Sequence, residues 1–309
     1  MLSELFYRLS GEISFLNVFR YITFRIILAA LTSLLFWFVF GGRFIALAKS
    51  LNVGQYIRDD GPAAHQKKAG TPTMGGVLVL GAALLATLLW ADVKNGLVIV
   101  MWVIVLLFGL VGFQDDFLKL RRKQNKGLSG KQKLGLQAVI GLFAGYLLYG
   151  VLDLDPTLTV PVFKNLIFDL GPFYVPFAAL VLVGASNAVN LTDGLDGLAT
   201  GPIIVSGATY MILAYCAGNS MIAGYLQISK VTGAAEISVV LAALVGSSLG
   251  FLWYNSYPAD LFLGDTGSLS LGAALGLAAL IVKQELLLVL VGGIFVLEAM
   301  SVILQVAFF

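Results

Sequence analysis

The sequence predicts an all-α, polytopic transmembrane bundle with its chemistry gathered at one face of the bilayer. Three observations carry that expectation. Of the 309 residues, 59% are hydrophobic and only 12% are charged, against about 25% charged in a typical soluble domain. So few charges cannot cover a water-facing surface, and lipid must serve as part of the solvent. Apolar runs long enough to cross the hydrocarbon as helices, about 20 residues each, recur along the whole chain. The 35 glycines suit helices that pack closely in lipid, where small residues let backbones approach.

In chain order the spans are expected near 22–42, 74–91, 97–114, 134–152, 173–190, 200–217, 237–255, 267–282 and 286–309, nine in all. Residues 1–20 carry Glu4 and Glu12 and lack the basic-then-apolar layout of a cleavable signal. The loops alternate between two sides. One set, comprising 43–73, 115–133, 191–199 and 256–266, holds 12 of the 19 Lys and Arg residues. The positive-inside rule places that set in the cytoplasm and the N-terminus outside. The last residues, Ser301–Phe309, leave the membrane through no polar flank, and the chain reads as truncated at its C-terminus. No internal repeat or second soluble domain is evident, so 1–309 reads as one integral membrane domain. The net charge of +2 gives no argument for nucleic acid as a partner. The single cysteine, Cys216, lies in an apolar run and reads as a small filler, so neither a disulfide framework nor a thiolate metal site is expected.

Four polar features fall in the predicted cytoplasmic loops. Gly70-Thr-Pro-Thr-Met-Gly-Gly76, preceded by His65, Lys67 and Lys68, suits either a backbone cradle for phosphate or a helix start whose glycines pack. Asp115-Asp116, followed by Lys119, Arg121, Arg122 and Lys123, places two mutually repelling carboxylates at the inner end of the third span. A divalent cation or the neighbouring basic residues would relieve that repulsion. Asn187-Ala-Val-Asn190-Leu-Thr-Asp193-Gly-Leu-Asp196-Gly197 has no Lys or Arg between Lys164 and Lys230 to balance its two acids. It forms a compact polar turn that suits a sugar, a base or a metal. Asn255 to Gly267 holds Asp260 and Asp265, and Asp265 reads either as an ordinary helix cap or as the third member of an acidic cluster binding Mg²⁺. Parity brings all four to one side, where metal, positive charge and alignment are the main requirements of phosphoryl transfer.

In these motifs the chain resembles the phospho-N-acetylmuramoyl-pentapeptide transferases, the lipid I-forming branch of the polyprenyl-phosphate sugar-1-phosphate transferases. The resemblance runs from about residue 15 to the end and is densest at Thr71–Gly76, Asp115–Lys119, Asn187–Ala199, Phe251–Leu269 and Phe295–Gln305. It implies transfer of phospho-MurNAc-pentapeptide from UDP-MurNAc-pentapeptide to undecaprenyl phosphate, giving lipid I and UMP, in the bacterial cytoplasmic membrane. It also implies a homodimer. Carried over by position, Asp265 is the principal Mg²⁺ ligand, and Asp115 and Asp116 lie by the attacking lipid phosphate. Asp115 is the candidate proton acceptor. Lys119, Lys123 and Lys131 draw in phosphates. Gly194, Leu195, Asp196, Asn255 and Phe262 form the uridine pocket with Lys68, while Asn190, Asp193 and Gln305 line the donor site. Direct attack by the lipid phosphate and a covalent enzyme intermediate both suit these residues.

One departure stands out: the family carries a histidine-rich cytoplasmic motif and a tenth span beyond Phe309, whereas His65 is the one histidine here. The resemblance therefore implies that the 309-residue piece alone is impaired. Two rival readings remain: a related polyprenyl-phosphate N-acetylhexosamine-1-phosphate transferase and, from a different class, a secondary transporter. A transporter would favour acids near the bilayer midplane and repeated halves.

Overall fold

The computed structural model describes residues 2–51, 71–122, 124, 127–161, 163 and 166–308. Lys68, Lys123 and His65 lie outside them. The helices are α1 (Leu2–Arg8), α2 (Ile22–Ser50), α3 (Gly75–Trp90), α4 (Gly96–Arg122), α5 (Gly130–Tyr146), α6 (Tyr174–Thr192), α7 (Thr200–Gly218), α8 (Ser220–Leu226), α9 (Ala234–Asn255), α10 (Gly264–Ile281), α11 (Leu287–Val291) and α12 (Gly293–Phe308). Between α5 and α6 the chain makes an antiparallel hairpin of β1 (Thr157–Thr159) and β2 (Ile167–Asp169), with Leu158 opposite Phe168.

Among the described residues, seven helices are long and apolar enough to cross a membrane: α2, α4, α5 with its helical continuation to Val151, α6, α7, α9 and α10. Helices α3 and α12 are also apolar but have only 16 residues each. The last expected span, 286–309, departs from a continuous helix. It breaks between α11 and α12 at Gly292-Gly293, where two residues of poor helix propensity meet. Helix α4 continues past the expected 97–114 because Lys119, Arg121 and Arg122 in its last turn complement the negative end of the helix dipole.

Residues that share a face every fourth position decide the packing. On α2 the buried set is Arg25, Ala29, Ser33, Trp37, Gly41, Ile45 and Ala48, while Ile27, Leu31, Leu35 and Phe38 point outward. That stripe lies on α9, where Trp37 Nε1 donates to Ser247 Oγ at 2.9 Å. Helix α10 is buried almost throughout, packed between α4 and α6 with α3 and α7 beside it. Its sequence of Gly, Ala, Ser and Leu permits this, because a central helix in lipid packs by close approach.

Because neighbouring spans run in opposite senses, the starts of α3, α5, α7 and α10 meet the ends of α4, α6 and α9. The loops expected on one side are thus together at one end of the bundle. At the other end, Arg25 pairs with both oxygens of Glu236 at 2.5 and 2.8 Å and donates to the Trp90 carbonyl at 3.2 Å. There too, Lys283 Nζ lies 3.0 Å from Glu285 Oε1 and 4.2 Å from the centre of the Tyr174 ring. Thr159 of the hairpin donates to the Lys283 carbonyl at 3.1 Å, which fastens the hairpin over the end of the central helix.

Candidate active site

The stretch 71–76 builds the site as a strap. Phe262 N donates to the Pro72 carbonyl at 2.9 Å, and the Gly75 and Gly76 amides donate to the Phe262 and Leu263 carbonyls, each at 2.9 Å. Those two amides are therefore engaged with backbone, and the packing alternative for this motif is the one realised. The strap fixes the segment leading to Gly264, whose positive φ of 75° turns the chain into α10. Asp265 follows in the first turn of that helix.

A helix start leaves backbone N–H groups without intrahelical partners. Here a neighbouring helix supplies the cap. Asp116 on α4 accepts from Asp265 N at 3.1 Å, Thr266 N at 3.0 Å and Thr266 Oγ1 at 2.8 Å. The approach is possible because Gly112, one turn earlier on α4, has no side chain to strike the Asp265 carbonyl. Asp116 thus secures α10 to α4. Asp115 accepts from Leu128 N at 2.7 Å and pairs with Lys119 at 2.6 Å.

Asp265 is the meeting point. Its Oδ2 lies 3.0 Å from Lys119 Nζ and 2.8 Å from Lys133 Nζ, and its Oδ1 accepts from Asn190 Nδ2 at 2.9 Å. Asn190 also donates to Ser268 Oγ at 2.7 Å, and its Oδ1 lies 3.4 Å from Lys133 Nζ. Asp193, just past α6, joins the same acidic neighbourhood. Burial, then the charges of Asp265 and Asp116, push its carboxyl well above the usual carboxylate range, and the Gly264 amide offsets this only in part.

Ligand oxygens of Asp115, Asp116 and Asp265 all lie within 4.8 Å of one another, close enough to hold one metal ion. The donors are all carboxylates, which suits a hard cation bound by one or two acids together with substrate oxygens. Asp265, with its side chain 17% exposed, is the most open of the three.

The loops around this centre divide the remaining expected residues. Asn255 Oδ1 accepts from Gly197 N at 3.1 Å and Thr200 Oγ1 at 2.8 Å, and its Nδ2 donates to the Leu261 carbonyl at 3.0 Å. It holds the 193–200 and 256–263 loops together. Asp196 accepts from Ala259 N at 3.2 Å across the same gap. Gly194 and Leu195 are exposed beside them, and Phe262 is half-buried. Lys131 is exposed on the first turn of α5. Gln305 is exposed on α12, where it donates to Ser301 at 3.2 Å; no contact among the described residues joins it to the carboxylates.

Lys133 is the principal residue that sequence reasoning missed. The signal was the capping box at Ser129 and Gln132, which fixes where α5 begins. With that start known, Lys133 falls on the same helical face as Gln137, Gly141 and Gly145, toward α6, and Lys131 does not.

Comparison with known proteins bears on this arrangement directly. A model described as Glycosyl transferase family 4 matches residues 98–283, and one described as Phospho-N-acetylmuramoyl-pentapeptide-transferase signature 1 matches 68–80. Proteins named phospho-N-acetylmuramoyl-pentapeptide-transferase from Desulforapulum autotrophicum and Desulfatibacillum aliphaticivorans are 51% and 54% identical, covering 100% of this chain and 86% of each relative. One from Pelobacter propionicus is 52% identical over 99% of this chain and 86% of its own length. The chain belongs to the phospho-N-acetylmuramoyl-pentapeptide-transferase family. It is accordingly a transferase and an integral membrane protein. The family signature at 68–80 contains the strap that orients Asp265, and the broader match at 98–283 contains Asp115, Asp116, Lys119, Lys133, Asn190 and Asp265.

Proposed function

We propose that this enzyme transfers phospho-MurNAc-pentapeptide from UDP-MurNAc-pentapeptide to undecaprenyl phosphate, with Mg²⁺, at the cytoplasmic face of the bacterial inner membrane. An oxygen of the lipid phosphate bonds to the sugar-linked phosphorus, the bond from that phosphorus to UMP breaks, and lipid I and UMP result. The observation that supports this most is Asp265, met by two lysines and an amide beside Asp115 at one end of a buried helix. Asp265 and Asp115 would hold the Mg²⁺, which supplies positive charge to the reacting diphosphate when bound.

The chain's own groups provide the rest. Lys119 and Lys133 bring positive charge to the place where phosphate oxygens gather. Asn190 orients the Asp265 carboxylate through its amide. The loops joined by Asn255 and Asp196 present Gly194, Leu195 and Phe262 to the uridine, with Phe262 as the stacking ring. Asp193 and Gln305 belong to the sugar side of the donor. Lys123 and Lys131 draw in phosphates, and Lys68 belongs to the uridine pocket. The enzyme works as a homodimer, which mass measurement in lipid nanodiscs tests.

Purified protein supplied with undecaprenyl phosphate, UDP-MurNAc-pentapeptide and Mg²⁺ should form lipid I and release UMP in equal amounts. Chelation should stop both. Turnover of UDP-GlcNAc in place of the muramoyl donor would instead assign the enzyme to a related branch.

A further inference from the structure

The seam between α5 and α6 carries a polar rung that the chemistry above does not use. Gln137 is wholly buried, at 0% exposure. Its Oε1 accepts from Asn187 Nδ2 at 2.6 Å, and the same Nδ2 donates to the Val183 carbonyl at 2.8 Å. Gln137 Nε2 has no hydrogen-bond partner among the described residues. A buried amide with part of its capacity unmet costs stability, and an apolar side chain of similar volume would pack there without that cost. Folding alone gives no reason for a glutamine at this place.

Its position gives one. Lys133, Gln137, Gly141 and Gly145 recur every fourth residue along one face of α5 and meet α6 in the antiparallel sense. A Cβ at Gly145 would lie 2.6 Å from the Val175 carbonyl oxygen, and one at Gly141 would lie 2.8 Å from Ala179 Cα, so that part of the seam is set by backbone contact. Next comes the Gln137–Asn187 bond. One turn beyond it, Lys133 and Asn190 approach each other at 3.4 Å, and both contact Asp265.

We propose that Gln137 and Asn187 are positioning residues, which set the register of α5 against α6 so that Lys133 and Asn190 reach Asp265 together. This inference rests on the reading of Asp265 as the reacting centre.

The test is Gln137→Leu in the purified enzyme, with Asn187 still bonded to the Val183 carbonyl. A positioning role predicts an unchanged or raised Tm, a kcat lower by roughly tenfold and a KM for the nucleotide donor within about twofold of the parent. A packing role predicts the reverse, a lower Tm with kcat per folded molecule unchanged, and that result would overturn the proposal. The exchange of the two amides, Gln137→Asn with Asn187→Gln, preserves the combined reach. It should recover most of the rate that each single exchange loses; failure of the pair to exceed either single variant counts against the proposal, and decides it should Gln137→Leu not fold. Lys133→Ala separates the two levels. If it leaves turnover intact, the reading of the site itself fails. If it abolishes turnover while Gln137→Leu keeps full kcat, only the positioning role fails.

Discussion

At the end of the bundle that holds Arg25 and Lys283, each buried acid meets one base: Glu236 takes both nitrogens of the Arg25 fork, and Glu285 takes Lys283. At the opposite end Asp115, Asp116, Asp193 and Asp265 gather around Lys119 and Lys133. One region is matched charge for charge; the other holds more carboxylates than described lysines to balance them. At the matched end each of these acids has its counter-charge at hand, although Glu285 Oε2 makes no hydrogen bond among the described residues. Excess carboxylate held in place by helix capping and glycine contacts has capacity left for a cation and for the phosphates it carries. The same sequence thus uses buried charge for architecture at one end and for chemistry at the other.

The largest effect should come from the least replaceable member of the excess. Asp265→Asn retains an oxygen for Asn190 but removes the charge that holds metal and lysines together. Turnover should fall about a thousandfold or more, a barrier increase of roughly 4 kcal/mol. The protein should still insert, but its Tm should fall, since Lys119 and Lys133 lose the carboxylate they share. Substantial Mg²⁺-dependent lipid I formation by this variant would erase the distinction between the two ends.

At the matched end, Arg25→Met leaves Glu236 buried without its partner and should lower stability by about 3 kcal/mol, with kcat per folded molecule unchanged. The double change Arg25→Met with Glu236→Leu should recover most of that loss, because removing both charges removes the uncompensated one as well. Thermal melts in detergent check both. A double variant no more stable than the single would mean that the pair's value lies in its bonds to the Trp90 carbonyl and Asp92 amide.

Lys119→Ala should be milder than Asp265→Asn, on the order of tenfold in rate, because Lys133 still reaches the same Asp265 oxygen. Its residual activity should be more sensitive to added salt than the parent's, as the substrate phosphates then rely on more distant charges. Equal salt profiles would show that Lys119 acts through Asp115 alone.

The two ends also differ in how far they could be read from sequence. The apolar runs and the alternation of basic loops made the bundle and its polar end legible, because span length and loop charge are local properties. Asp265 stood out for the same reason: it is an acid among glycines with no basic neighbour. Lys133 did not, because its meaning comes from a partner 132 residues away. Asp115 and Asp116 are both expected beside the lipid phosphate, yet one helical position separates a residue that pairs with Lys119 from one that caps α10. Arg25 and Glu236 each look like a stray charge near the start of a span until α2 and α9 are packed together. The last span misled for the opposite reason. Hydropathy alone makes 286–309 one run, and it is blind to the helix break at Gly292-Gly293, which is a matter of backbone propensity.

The smallest expected effect is the sharpest test of whether the ends are independent. Replacing Lys283 with Met and Glu285 with Leu removes a buried pair whose desolvation offsets much of its attraction, so stability should change by less than about 1 kcal/mol in either direction. Burial raises the Glu285 carboxyl above its usual range, with Lys283 opposing the shift. A raised folded value means that this group's stabilisation is fully present below the ordinary glutamate value, about pH 4.3, and is lost as pH rises through the raised one. The double variant should lack that decline, so its melts should gain on the parent's between acid and neutral pH. Its kcat should equal the parent's, since helix α10, about 27 Å long at 1.5 Å per residue, separates the pair from Asp265 and is anchored near the site by Asp116 and the 72–76 strap. A fall in kcat without a fall in Tm would show that the far end sets the position of Asp265 through the central helix, and charge matched for architecture would then be serving the chemistry as well.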